Sequence, residues 1–598
     1  MSGSGFGDRR RSDSSAMRRS PAVFRACQEL PDVDSLPYKR PKRANLESLA
    51  RRLRRQLPAA GDEDAAVAAV EKFDRRLAGF AENVSLTAYL YALEPGDQAI
   101  AQQHAELADS EAWLNECLRD TMQPLLTYKN KPELATKLGN MIFLRAQNFH
   151  FFHPDHLRED REEEAALCAA WERLREPGAD GDEEAGKADG DPERRERQRD
   201  IYRQLTRLRH SQARQQGFHH YRALALGRLS AWGYDGVELA YAHLLIARWL
   251  VPLALRLRID RQSFLYPPGE DDEKSRAAVA AMPPEPLPLT ALADPAVWLE
   301  PTVELSEACR HDLLATLDLV LAALPAPLHQ TWRELRRGGY VRVLPSASES
   351  GPQLLPLPLT RAAILLLEAP EEAADLPAIL DLIGAQLAYV GIADEAALVL
   401  ERHWTIDTRV TLEQTLRHLL LPHAGPLLAR GEADAVKLTR ASVTAVLHEV
   451  LLHARRDRFE SSLAAATRSE EEAGAAGGAL WSLDPDAAWS GLTDELFPRL
   501  NGEGIEPFDP SDWLEDSFFF SDSFRATPLL AAQLAALAAL EHSLSDRGEG
   551  ISQAWMNLAA SGQTAHFREL LGRSGLYDPF AEATLKRLAY RLAYWFGY

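Results

Sequence analysis

A chain of 598 residues, 46% hydrophobic and 26% charged, is long enough for a large apolar core and is composed like a soluble globular protein. Its net charge of -21 excludes nucleic acid as a partner for the body, because a polyanion is repelled. Four dispersed cysteines, Cys27, Cys117, Cys168 and Cys309, form neither a C-x-x-C pair nor a disulfide framework, and they fit a reducing, cytoplasmic compartment.

Residues 1–45 mix Gly, Ser and Pro with basic clusters such as Lys39-Arg40-Pro41-Lys42-Arg43. That composition predicts a disordered basic tail without the apolar run of a signal peptide. Helical spacing begins with Leu46, Leu49, Leu53 and Leu57 and continues almost without strand signals. We read 46–200 as an N-terminal helical lobe with an acidic loop at 176–195, and 201–598 as a second helical domain. Further breaks fall at 266–290 and 469–479, where Pro, Gly and charged residues cluster. The apolar stretch Leu239–Leu257 is interrupted by His243, Arg248 and Arg256. It therefore predicts a buried helix and not a membrane span. Tyr340–Leu344, after Gly338-Gly339, and Ala363–Leu367 are the clear strand signals. The expected fold class is mainly α, with a small β-hairpin or sheet near 338–368.

Several segments, in order, resemble the oligoendopeptidase F branch of the thimet oligopeptidase metallopeptidases. The segment Arg209–Tyr221 (RHSQARQQGFHHY), Tyr234-Asp235, Gly338-Gly339-Tyr340 and the block Trp513–Phe524 carry the likeness. The resemblance implies a two-lobed helical fold enclosing a deep channel, with the Gly-Gly-led strand running along it. It also implies a zinc helix H-E-x-G-H about forty residues downstream. Two histidines at i and i+4 share a helix face and ligate one ion, and the glutamate activates the bound water.

At that distance, near 378–390, the chain reads Ala378-Ile379-Leu380-Asp381-Leu382-Ile383-Gly384-Ala385-Gln386. The resemblance puts Asp381 and Ala385 where histidines belong and Leu382 where the general base belongs. Counting back seven from Glu413 puts Ile406, beside Asp407, at the third ligand. Leucine and alanine cannot ligate zinc, and leucine cannot take a proton. The C-terminal block offers Phe518, Phe519 and Phe520 where the family supplies hydroxyl and imidazole donors. The motif is thus degenerate: no catalytic residues, no metal and no cofactor are expected.

His448, Glu449 and His453 form an H-E-x-x-x-H string whose histidines diverge by about 140° on a helix. They are the alternative zinc site, should the chain be an active zinc metalloendopeptidase. The primary expectation is a non-cleaving homologue that binds a peptide, a protein segment or a small molecule in the former channel, with neither nucleic acid nor membrane as partner. Cleft candidates are Tyr340, Arg342, Asp381, Asp407 and Arg525. A different chemistry built in the old cleft is a third reading.

Overall fold

In a computed structural model, the chain is described for residues 24, 29–57, 62–107, 113, 117, 121–152, 154–175, 192–231, 233–265, 287–345, 351–392, 398, 402, 404–472, 483–500, 508–546 and 549–598. Helix dominates. The helices that matter below are α1 (Glu63–Leu93), α2 (Arg158–Arg175), α3 (Pro192–Gln215) and α4 (Gly236–Leu265). They continue with α5 (Leu376–Gly391), α6 (Ile406–Leu420), α7 (Glu432–Glu472), α8 (Ala526–Asp546) and α9 (Glu582–Phe596).

Three strands form one small sheet: β1 (Val341–Leu344), β2 (Gln353–Leu357) and β3 (Ala362–Glu368), in the order β1-β3-β2. The two strands expected from sequence are β1 and β3. They pair in parallel, Val341 opposite Leu365, so they are not a hairpin. The hairpin is β2–β3, antiparallel with Leu355 opposite Ile364. β2 escapes a sequence reading because Pro352 and Pro356 give it the look of a loop. Its turn is clamped by α1: the Glu82 carboxylate accepts from the Leu359 and Thr360 amides, each at 2.8 Å.

Most of the expected tail lies outside the described residues, but 29–42 run along the body. Val33 is buried and its N–H donates to Gly338 O at 2.9 Å. Tyr38 Oη donates to Gln103 Oε1 at 2.7 Å, and Phe24 is buried against Gly391. The basic composition masked a few spaced apolar residues, Leu30, Val33, Leu36 and Tyr38, that pack on the main core.

The boundary expected at residue 200 falls inside α3. A separate aromatic core joins α2 and α3 to the far end of the chain, through Trp171, Tyr202, Phe459, Trp489, Trp513, Phe519 and Phe520. Trp171 Nε1 donates to Leu514 O at 2.9 Å. A second satellite core, built on Leu46, Leu53, Phe73, Leu77 and Phe143, holds the N-terminal helices. The acidic loop's residues 176–191 lie outside the described residues, whereas 192–195 open α3 with Pro192 in its first turn. Likewise α7 runs on to Glu472, into the break expected at 469.

Two helices, Gly236–Arg261 and Ala373–Gly391, are long and apolar enough to cross a membrane by length and composition; 50% and 72% of their apolar windows are buried in the body. The second contains α5, which packs under the sheet. There Gln386 is wholly buried, and its amide donates to Ala363 O at 2.8 Å and Tyr340 O at 3.1 Å. One side chain thus ties α5 to β3 and to the residue that leads into β1. Replacing it (Gln386→Leu) leaves a buried carbonyl without its donor, and we expect a loss of about 1–3 kcal/mol, read as a lower urea midpoint at unchanged slope.

Candidate functional site

α5 and α6 touch at Gly384. A Cβ there would lie 3.1 Å from Glu413 Cα, so a side chain at this position would push the two helices apart by a few tenths of an ångström. The contact fixes Asp381, Leu382 and Ala385, all on α5, against the middle of α6. Ala385 is buried, and Leu382 lies partly buried against the core. Asp381 Oδ2 accepts from Arg417 Nη1 at 2.9 Å, and the Arg417 side chain is only 8% exposed.

Two more carboxylates act on that pair. Burial pushes Asp381 up to about 6, with Glu449 of α7 adding to the shift and Arg417 opposing it. Burial likewise pushes Glu413 up to about 7, with Asp381 adding and Arg409 and Arg417 opposing. Glu449 is also raised by burial, against Arg417 and a hydrogen bond from Gln533. Gln533 of α8 in turn bonds His453 Nδ1 through Oε1 at 2.9 Å. Beyond His453 lies Phe518, its ring 5.6 Å away. The Arg456 guanidinium covers Phe518 at 4.3 Å and pairs with Asp516 at 2.6 Å. Four helices and the aromatic segment thus converge on one line of polar groups, Asp381, Arg417, Glu449, Gln533 and His453. Arg417 Nε and Nη2, Asp381 Oδ1 and Gln414 Oε1 are buried without a hydrogen-bond partner among the described residues.

A zinc ion does not fit these residues. Asp381 is spent on a guanidinium, Ala385 carries a methyl group and Leu382 an isobutyl group. Among the described residues, no three His, Cys, Asp or Glu side chains are grouped to hold a metal. Asp407, paired in the sequence reading with Asp381, is elsewhere. It lies in the first turn of α6, where Thr408 N donates to its Oδ1 at 2.7 Å and Tyr234 Oη to its Oδ2 at 3.3 Å. Burial raises it to about 6. Ten residues, about 15 Å of helix, separate it from Arg417. Ile406 begins the same helix.

The alternative histidines are split, as their spacing predicts. His448 Nδ1 meets Thr444 O at 2.8 Å and its ring stacks on Trp298 at 4.5 Å, whereas His453 faces Gln533 and Phe518. Burial pushes both down to about 3, so both are neutral imidazoles. Of the other cleft candidates, Tyr340 is buried under the sheet and Arg342 pairs with Asp34 at 2.8 Å. Arg525 pairs with Asp522 at 3.0 Å at the surface. None of these three meets the Asp381 line.

The sequence reading missed Arg417, whose signal is the Arg409, Glu413, Arg417 repeat at four-residue spacing on α6. It also missed a second buried centre. Asp457 of α7 accepts from Arg222 Nη2 at 2.9 Å, meets His243 Nε2 at 2.6 Å and accepts from Thr527 Oγ1. Burial works against the Asp457 charge, but Arg222 and His243 hold it down at about 2. Three residues on, Glu460 accepts from Ser523 Oγ and Phe524 N at 2.8 and 2.9 Å, while burial pushes it up to about 8.

No protein-family model matches the sequence, and no curated protein matches it. Solved structures do share the fold. PZ peptidase A, solved with an inhibitor, superposes with a TM-score of 0.70 at 14% identity, over 94% of this chain and 98% of its own. A structure assigned to oligoendopeptidase F gives 0.69 at 14% identity, over 95% and 99%. Another so assigned, from Bacillus anthracis str. Ames, gives 0.67 at 14% identity, over 95% and 98%. At that identity the likeness establishes the fold, a helical oligoendopeptidase fold with a small sheet, and it supports the resemblance drawn from the sequence.

The raised carboxylates set a pH dependence. Glu413 binds its proton more tightly folded, at about 7, than unfolded, near 4.3. Its contribution is therefore fully present below the unfolded value and is lost as pH rises through the folded one. We expect Glu413→Gln to flatten the fall in stability between the two, measured by urea unfolding at pH 5 and pH 7.5. Equal slopes in variant and wild type would contradict the assignment.

Proposed function

We propose that this chain is a catalytically degenerate relative of the oligoendopeptidases that binds a peptide or protein segment in the former peptidase cleft without cutting it. The observation that carries the reading is the Arg417–Asp381 pair: a permanent guanidinium charge stands beside the residue that answers to the first zinc ligand. An ion-paired carboxylate does not ligate a metal without breaking a largely buried pair, a step costing several kcal/mol. With leucine at the base position and no hydroxyl on Phe518, the family's own agents of proton transfer and oxyanion stabilisation are missing here.

The cleft residues support binding instead. Arg417 Nε and Nη2, Asp381 Oδ1 and Gln414 Oε1 are left without partners, and buried polar groups in native proteins find partners. A cytoplasmic location remains our reading from the dispersed cysteines.

The test is direct. Purified protein should carry less than about a tenth of an equivalent of zinc, where a three-ligand site would hold a full one, and should not hydrolyse short peptides. Stoichiometric zinc, with hydrolysis abolished by a chelator and by Glu449→Gln, would overturn the reading. Rebuilding the motif with Asp381→His, Leu382→Glu and Ala385→His should restore zinc binding only when Arg417→Leu is added, because the guanidinium repels the ion.

A further inference from the structure

Charge is distributed unevenly along this acidic chain. Residues 39–57 carry eight Lys and Arg against one Glu, while the rest of the chain carries 59 against 87. The basic stretch is held in place. Tyr38 Oη donates to Gln103 and Lys39 N donates to Asn83 Oδ1 at 2.6 Å, which fixes the backbone on α1 just before it enters the helix Arg43–Gln56. That helix buries Leu46, Ala50 and Leu53 in the satellite core of the N-terminal helices. At about 100° per residue, Arg51, Arg52, Arg54 and Arg55 fall on the opposite arc, and all four are exposed.

Cations in the last turn of a helix complement its dipole. That accounts for Arg54 and Arg55 but not for Arg51 and Arg52, which precede the last turn. The acids nearby are spent elsewhere. Glu47 accepts from Trp113 Nε1 at 3.3 Å and Glu63 from Asn130 Nδ2 at 2.5 Å, while Asp64 pairs with Lys137 at 2.5 Å and Glu106 with Arg40 at 2.7 Å. Among the described residues, Lys39, Lys42, Arg51, Arg52 and Arg55 enter no ion pair. Arg51 and Arg55 stand at i and i+4, where like charges repel and destabilise the helix. An anionic partner relieves that repulsion.

The same features narrow the class of partner. The apolar face of the helix is already buried, so it has nothing to insert into a bilayer. Residues 43–56 contain no aromatic ring on which a base would stack. A long polyanion or a membrane plane also meets the surrounding surface of a strongly acidic chain, which repels it. A short acidic segment meets the arginines alone, and a guanidinium fork matches a carboxylate with two parallel hydrogen bonds. We propose that the surface formed by Lys39, Lys42, Arg51, Arg52 and Arg55 docks an acidic segment of a partner protein.

The probe is a fluorescein-labelled oligoglutamate peptide titrated with the full chain at low salt. It should bind, and the affinity should fall as salt is added, because exposed charges are screened. Arg51→Glu with Arg52→Glu and Arg55→Glu should weaken binding by about 10–100-fold, since three exposed attractions become repulsions. Lys39→Glu with Lys42→Glu, which leaves the interior of the helix untouched, should weaken it as well. The circular dichroism of both variants should match wild type, because these side chains are exposed. No binding by the wild-type chain, or binding unchanged in both variants, overturns the proposal. Tighter binding to duplex DNA or to phosphatidylserine vesicles, lost in the same variants, overturns it by assigning the surface to nucleic acid or to a membrane. Self-association lost in the same variants overturns it by assigning the surface to a second copy of the chain.

Discussion

Arg417 meets Asp381 between two helices that otherwise touch through glycine and leucine. Desolvating both groups is costly, and the pair is retained only where geometry and neighbouring partners repay the cost. Burial makes Glu449 and Glu413 hold their protons more tightly while Arg417 opposes both shifts, and Gln533 and His453 pass the polar line on to the aromatic segment at Phe518. Remove the guanidinium and Asp381 loses its ion-pair partner, while Glu413 keeps Arg409 at 3.5 Å. The positive charge at this centre is thus supplied by Arg417, from the same helix that opens at Ile406.

The periodicity of α5 and α6, the Gly-Gly turn and the aromatic block could be read from sequence because each rests on local spacing. Gly384 was legible too, as the one small residue left in an otherwise altered motif. What could not be read is pairing across distance. Asp381 and Arg417 are thirty-six residues apart, and no rule of helix spacing joins them. Asp381 and Asp407 looked like a pair because both are acids near ligand positions, yet α6 turns Asp407 toward Tyr234 instead. The tail was misjudged over 29–42 because composition averages conceal a few well-placed apolar residues, and β2 because prolines disguise a strand that a glutamate from α1 holds in place.

α7 carries both polar centres, with Glu449 facing the Asp381 line and Asp457 and Glu460 facing α3, α4 and the segment before α8. Arg222, His243 and Thr527 come from three separate parts of the chain to one carboxylate. Such a node specifies how distant segments dock, since any other arrangement buries the Asp457 charge unpaired. The outer centre is solvent-accessible at Asp381, 23% exposed, and at Glu413, 15%, whereas Asp457 is fully enclosed. One reaches solvent and the other holds the framework.

The packing of α4 on α9 has a consequence for how the protein is made. The Tyr241 hydroxyl waits for Glu582 Oε2, 341 residues later. At about 5–20 residues per second, the ribosome leaves the apolar inner face of α4 without its partner for roughly 17–70 s. A helix with Leu239, Leu245, Ile246 and Leu250, all buried in the finished fold, on that face is, for this interval, an aggregation hazard in a crowded cell. Nascent chains should therefore depend on chaperones until synthesis nears its end, and a late frameshift that alters α9 should fail during biogenesis and not at the cleft.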